Sequence, residues 1–268
     1  MSAVRLVATD MDGTLLRADQ TISRRTRRAI AEATEAGVLV VAATGRGWRS
    51  ALPLLEVVPE VTTAVCSNGA LIRDIPGEDN TDVFAFPAAT AERLVEVVLG
   101  TVPDAGLAWE LADGTFGYDA AYAAVRPEVA QRYPDHQGER PATHDEMLKL
   151  LVRHPQLDEA ALLKVLEPVV PDDVLATYSG IDIVEITGAG VHKAHALGVL
   201  CGRLGIDAAD VVALGDNRND VEMLRWAGRG VAMGNAVLAA VEAADEQTAH
   251  HMDDGVAIVI EEVVAGLR

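Results

Sequence analysis

Two carboxylates stand two residues apart in Asp10-Met11-Asp12-Gly13-Thr14, directly after the apolar run Val4 to Thr9. Further on, Thr44-Gly45-Arg46 closes the run Val38 to Ala43, Asn68-Gly69 closes Thr63 to Ser67, and Gly215-Asp216-Asn217-Arg218-Asn219-Asp220 closes Val211 to Leu214. One polar strand end means little. Four of them (Asp10 with Asp12, Thr44, Asn68, and Asp216 with Asn219 and Asp220) describe one site if the strands run parallel, because ligands of an open parallel sheet sit beyond the carboxyl ends. Carboxylates gathered there suit a hard cation such as magnesium, which takes oxygen ligands and keeps waters and substrate phosphate in its shell. A calcium loop is the competing reading of Asp10 to Thr14. It fails because Leu15 and Leu16 stand where that loop needs further oxygen ligands.

The elements that must position these residues follow from pattern. Val38 to Ala43 is wholly apolar, as in a strand buried on both faces. A helix is expected from Ser23, a side chain suited to an N-cap, to Ala36, with Gly37 just past its end. Gly230 to Met233, ending at Gly234-Asn235, adds another strand. Strands alternating with helices predict parallel βαβ units: an α/β, doubly wound, mostly parallel Rossmann-like sheet.

The rhythm changes between about Asp82 and Thr187. Leu107 to Leu111 and Thr115 to Tyr118 flank Ala112-Asp113-Gly114, a hairpin signal. Helices are expected near Thr90 to Leu99 and Asp158 to Leu166, and strands at Leu148 to Val152, Val174 to Tyr178 and Ile181 to Ile186. Residues 82–187 therefore read as an inserted α+β domain, interrupting a core made of residues 1–81 and 188–268.

The balance of 22 basic against 41 acidic residues, a net charge of −19, argues against nucleic acids and anionic membranes as partners. A few local cations still suffice to draw a small phosphorylated molecule into one cleft. No apolar run approaches the roughly 20 residues that span a bilayer. The first strand begins at Val4, so no signal peptide is expected, and Cys66 and Cys201 read as buried free thiols. These features fit a cytoplasmic protein.

Taken in order, Asp10 to Leu16, Thr44-Gly45-Arg46, Lys193, and Gly215 to Asp220 resemble the four motifs of haloacid dehalogenase-superfamily phosphatases. Asn68-Gly69-Ala70 and Asp254-Gly255-Val256-Ala257 are similar to marks of the Cof-type subgroup, whose substrate-covering cap lies between the second and third motifs. The resemblance runs from end to end and is thinnest in the cap. In many relatives the residue after the lysine is Gly, where this chain has Ala194.

That resemblance implies hydrolysis of small phosphomonoesters, such as sugar phosphates, through an aspartyl phosphate on Asp10. Asp12 would protonate the leaving oxygen and then take a proton from the attacking water. Magnesium would be held by Asp10, the backbone carbonyl of Asp12, and Asp216. Thr44 and Lys193 would hold phosphoryl oxygens. Asn219, Asp220, Gly45 and Asn68 would contact phosphate or support the metal shell, and Asp220 in particular would orient Lys193. A phosphomutase of the same superfamily is the nearest alternative. A phosphometabolite sensor without activity is a second, although such a protein should have lost Asp10 or Asp12.

Other candidates have simpler readings. Arg46 is left outside the site as a partner for a surface acid. His192 with His195, and His250 with His251, lack a carboxylate or thiolate at ligand spacing and read as surface residues. Gly188 to Lys193 lacks the Gly-Lys-Ser/Thr ending of a nucleotide loop. Trp48 and Trp226 read as packing. Trp109 stands open between facing a substrate and covering the sheet, and it joins Asp113 as a position to probe for specificity.

Overall fold

Buried strands alternate with capped helices from the N-terminus of the computed structural model, which describes residues 3–133, 137–138, 147–178 and 182–267. The chain forms β1 (Leu6–Thr9), α1 (Arg24–Glu35), β2 (Leu39–Ala43), α2 (Trp48–Leu55), β3 (Thr63–Cys66), β4 (Leu71–Asp74) and β5 (Asp79–Val83). It continues with α3 (Ala88–Thr101), β6 (Gly106–Leu111), β7 (Phe116–Tyr118), α4 (Ala120–Val125), α5 (Pro127–Arg132), β8 (Met147–Arg153), α6 (Glu159–Leu166), β9 (Val174–Tyr178) and β10 (Val184–Gly188). The last part is α7 (Lys193–Leu204), β11 (Val211–Gly215), α8 (Val221–Trp226), β12 (Arg229–Ala232), α9 (Leu238–Ala243), β13 (Glu246–Gln247) and α10 (Gly255–Gly266). Two compact units result, one of residues 1–82 with 192–268 and one of residues 83–191.

In the first unit eight strands make one sheet in the order β13-β12-β11-β1-β2-β3-β4-β5. From β13 to β3 neighbours run parallel, and β4 turns back antiparallel to β3. All of β1 and β11 is buried, so helices must cover both faces, and these strands are accordingly runs of Leu, Val and Ala. Each buried Leu or Val contributes roughly 1.5–3 kcal/mol by leaving water. Helix α1 packs on α10 and β2, while α7 packs on α8 and against β3 and β4. Ser23 caps α1 by accepting the Thr26 N–H, and Gly37 ends it at φ +86°.

Register decides what the strand ends bring together. Thr9 of β1 lies opposite Leu214 of β11 on one side and Ala42 of β2 on the other. The residues that follow, Asp10, Gly215-Asp216 and Thr44, therefore leave the sheet side by side.

The second unit is a five-stranded antiparallel sheet in the order β7-β6-β8-β10-β9. Side chains alternate between its faces. Leu107, Trp109, Leu150, Val152, Val184 and Ile186 join Leu94, Val98, Leu162 and Leu166 of α3 and α6 in one cluster. Ala108, Leu151 and Ile183 join Tyr118 and Tyr122 in another, with Lys149 and Glu185 buried on that face. Trp109 thus covers the sheet, and a Cβ at Gly117 would stand 2.2 Å from its ring. Asp113 shapes the β6–β7 turn by accepting the Thr115 N–H at 2.7 Å. The run expected from Ile181 forms β10 from Val184, and Ile181 itself lies outside the described residues. Among the described residues no helix is long and apolar enough to cross a membrane.

Candidate active site

Asp10 follows β1 immediately, and its N–H continues the ladder by bonding Leu214 O at 2.9 Å. Its carboxylate is buried and accepts from Lys193 Nζ at 2.5 Å. Lys193 is the first residue of α7, with no exposed surface, and it also donates to Asp220 Oδ1 at 2.6 Å. The other oxygen of Asp220 accepts the backbone N–H groups of Asp216 and Asn217, at 2.9 and 3.0 Å. Asp220 is thereby fully engaged: it orients the lysine and ties down the loop after β11.

Asp216 is fixed differently. Thr14 Oγ1 donates to its Oδ1 at 3.0 Å, and Asn235 Nδ2 lies 3.3 Å from its Oδ2. Gly13, at φ +77°, passes so close that a Cβ there would stand 2.4 Å from Asp216 Oδ2. Only glycine fits that approach and that backbone conformation.

Asp10, Asp216 and Asp220 offer oxygens that all lie within 4.8 Å of one another. Three carboxylates against one ammonium leave the buried cluster negative. Burial pushes the Asp10 carboxyl well above the usual carboxylate range; Lys193 opposes this, and the charges of Asp220 and Asp216 add to it. Burial likewise pushes Asp216 up to about 6, with Asp220 adding and the Thr14 hydrogen bond opposing. Lys193 moves the other way from a buried lysine on its own. Burial disfavours its charge, but Asp10 and Asp220 outweigh that and hold it protonated. A cluster short of positive charge, with oxygen donors and no thiolate, fits a hard divalent cation. Asp10 and Asp216 are the carboxylates with capacity to take it, since Asp220 is spent on Lys193 and the loop.

Asp12 turns its side chain elsewhere. Arg46 grips it in a two-pronged bond, Nε to Oδ2 at 2.7 Å and Nη2 to Oδ1 at 2.6 Å. The sequence reading left Arg46 out; the structure brings it in, because the turn after β2 lies beside the turn after β1. Thr44 is fully buried at the end of β2, and its Oγ1 accepts the Arg46 N–H at 3.0 Å. Gly45 is half-buried between them. Asn68 sits beyond β3 in a left-handed turn, at φ 57°, and its Oδ1 accepts from Asn219 Nδ2 at 2.9 Å. The residues expected at the site thus lie at neighbouring strand ends or, for Lys193, at a helix start, in three bonded groups: Asp10, Asp216 and Asp220 around Lys193, Asp12 with Arg46 and Thr44, and Asn68 with Asn219.

Three further residues belong to the site's surroundings without having been assigned to it, among them His251, whose surface reading is corrected by its half-buried place. Thr14 lies inside the first motif, Asn235 follows β12 as another polar residue at the end of a buried strand, and His251 bonds Leu16 O through Nδ1 at 2.8 Å. The strand-end rule that picked out Asp216 applies equally to Asn235. Nothing local in sequence signals His251. His192 caps α7 by accepting the His195 N–H at 3.2 Å, which accounts for that histidine pair.

The family model described as haloacid dehalogenase-like hydrolase matches residues 7–260. The 5-amino-6-(5-phospho-D-ribitylamino)uracil phosphatase YcsE of Bacillus subtilis is 32% identical over 260 residues, covering 96% of this chain and 94% of that one. The HMP-PP phosphatase of Yersinia enterocolitica is 33% identical, over 87% of this chain and 85% of its own. Among solved structures, the phosphatase BT1666 of Bacteroides thetaiotaomicron superposes with a TM-score of 0.82 at 25% identity, covering 99% of this chain and 96% of that chain. With a buried aspartate held by a buried lysine beside a carboxylate cluster suited to a cation, the likeness along the whole chain shows that the protein belongs to the haloacid dehalogenase-like hydrolases and is a phosphatase of that family.

Proposed function

We propose that the protein hydrolyses small phosphomonoesters with magnesium, through an aspartyl phosphate on Asp10. The observation that carries this reading is the placement of Asp10: one carboxylate oxygen is held by Lys193, and Asp216 stands within 4.8 Å. A nucleophile needs an ionised carboxylate, and burial alone would protonate it. Lys193 counters that while remaining protonated itself.

In the first step an Asp10 oxygen bonds to phosphorus and the ester oxygen leaves, taking a proton from Asp12. In the second, Asp12 takes a proton from water as that water attacks phosphorus; inorganic phosphate departs and Asp10 is restored. Arg46 fixes the direction of the Asp12 carboxylate when it is ionised. Lys193 and Thr44 face the transferring phosphoryl group as fixed donors, with Gly45, Asn68 and Asn219 completing its surroundings. Asp10, Asp216 and the Asp12 carbonyl would hold magnesium, which supplies charge neutralisation on the phosphoryl oxygens.

The relatives named above act on small phosphorylated compounds, which supports metabolites rather than proteins as substrates. We assign the choice among them to residues 83–191, which carry none of the motifs shared with the family. The test is phosphate release from a metabolite panel with magnesium and with chelator, for the wild type and Asp10→Asn. Turnover that needs magnesium and vanishes in Asp10→Asn is expected. Full activity in excess chelator, or an Asp10→Asn enzyme within tenfold of wild type, would refute the reading.

A further inference from the structure

Asn235 closes the loop after β12 and touches three separate strand-end segments. Its Nδ2 donates to Gly13 O at 2.8 Å and lies 3.3 Å from Asp216 Oδ2. Its Oδ1 accepts the His251 N–H at 3.0 Å. The amide has no choice of orientation. Gly13 O and the Asp216 carboxylate only accept, so the NH2 faces them, and the backbone N–H of His251 only donates, so the oxygen faces it. His251 in turn donates from Nδ1 to Leu16 O, and Arg17, the next residue, pairs with Asp254 at 3.1 Å. The segment before α10 thus holds the loop that follows the nucleophile at Leu16 and Arg17, while Asn235 holds it at Gly13.

Asp216 has two oxygens, each with one side-chain donor: Thr14 on Oδ1 and Asn235 on Oδ2. These bonds set the rotation of the carboxylate about its own axis, and hence the direction of the lone pairs left for a cation. The Gly13 contact does the same for the backbone between Asp12 and Thr14. Partners that bond a ligating carboxylate in this way fix its geometry, and their loss typically weakens metal binding about 10–100-fold.

We infer that Asn235 is a positioning residue that orients Asp216 and, by holding the Gly13 carbonyl, steadies the backbone that carries the Asp12 carbonyl, so that both face one shared cation. This rests on the magnesium reading proposed above. It adds a residue that touches neither phosphate nor the reacting atoms, and that acts through Asp216.

The experiment titrates magnesium into metal-stripped protein by calorimetry, for the wild type, Asn235→Ala and Asn235→Ser. The serine variant keeps a short polar side chain in the loop in case the alanine variant does not fold. Thermal melting of the metal-free proteins checks folding. Phosphate release against magnesium concentration gives the kinetic counterpart. Magnesium affinity should fall about tenfold in the folded variants, with kcat at saturating magnesium within about threefold of wild type and substrate KM little changed. A folded variant whose magnesium affinity lies within twofold of wild type overturns the inference. So does a fall in kcat that excess magnesium does not restore. A wild-type protein that binds no magnesium would instead sink the metal assignment itself, and the two failures are told apart by the wild-type titration alone.

Discussion

Arg46 holds Asp12 with two parallel hydrogen bonds, 2.7 Å from Nε to Oδ2 and 2.6 Å from Nη2 to Oδ1. The pair joins the turn after β1 to the turn after β2, and it sits at the partly exposed edge of the aspartate cluster. A planar fork matched to a carboxylate fixes direction as well as distance, which lysine cannot reproduce. Arg46→Lys should therefore slow hydrolysis of alkyl phosphates, which need a proton on the departing oxygen, by about tenfold. Aryl phosphates, whose leaving groups are already stable, should lose less in phosphoenzyme formation. Rapid-quench measurement of that step on both substrates makes the comparison; equal losses would mean that Arg46 serves something other than Asp12.

Asp10→Asn separates chemistry from stability. The substitution keeps the shape, removes the anion proposed as nucleophile, and relieves a buried carboxylate that its surroundings disfavour. Turnover should fall at least about a thousandfold, because without the proposed nucleophile no aspartyl phosphate can form. The melting temperature of the metal-free protein should stay equal or rise. A variant that loses activity only because it unfolds would show a lowered melting temperature instead.

The aspartate cluster also sets a pH dependence for the metal-free protein. Asp216 titrates near 6 in the folded chain against an ordinary 3.8, burial being the main cause. A carboxyl raised on folding contributes stability that is present below its unfolded value and is lost as pH rises through its folded one. Asp10 moves in the same direction. Melting temperature in chelator should therefore fall between about pH 4 and pH 6 through Asp216, with Asp10 acting in the same direction, and added magnesium should raise it more at pH 7 than at pH 5. Asp216→Asn should flatten that slope; an unchanged slope would place its origin elsewhere.

Lys149 in the second unit makes a purely structural prediction. It is buried between Glu185 at 2.8 Å and Glu110 at 3.5 Å. Lys149→Met strands buried Glu185 and should cost about 3–5 kcal/mol. Pairing it with Glu185→Leu removes the stranded charge and should recover most of that loss. Chemical denaturation of the two variants decides it, and a double variant no better than the single would mean that Glu185 was never the problem.

How much was legible in sequence depended on where the information sits. Asp10 and Asp216 were visible because each follows a run buried on both faces, and a polar residue after such a run is conspicuous. The hairpin around Asp113 was visible because its turn chemistry is local. β4 and β5 were not identified. Asp79–Val83 alternates between exposed and half-buried positions with a polar composition, as an edge strand tolerates, and carries no apolar run. The grip of Arg46 on Asp12 spans 34 residues and depends on the register of β1 against β2, which no local pattern carries. Trp109 could not be assigned to a face until the alternation of β6 against Gly117 placed it in the packed cluster.

Gly69 has an effect beyond its own turn. At φ +97° it lets the chain after β3 lie against the peptide that precedes α7, so closely that a Cβ would stand 2.3 Å from His192 O. Lys193 is the next residue. The ammonium beside Asp10 is thus located by a contact within residues 1–82 and 192–268, at the point where the chain comes back from the intervening hundred or so residues. A single methyl group at position 69 would therefore push on the peptide that carries Lys193, and so on the ammonium beside Asp10, from a place far from either in sequence.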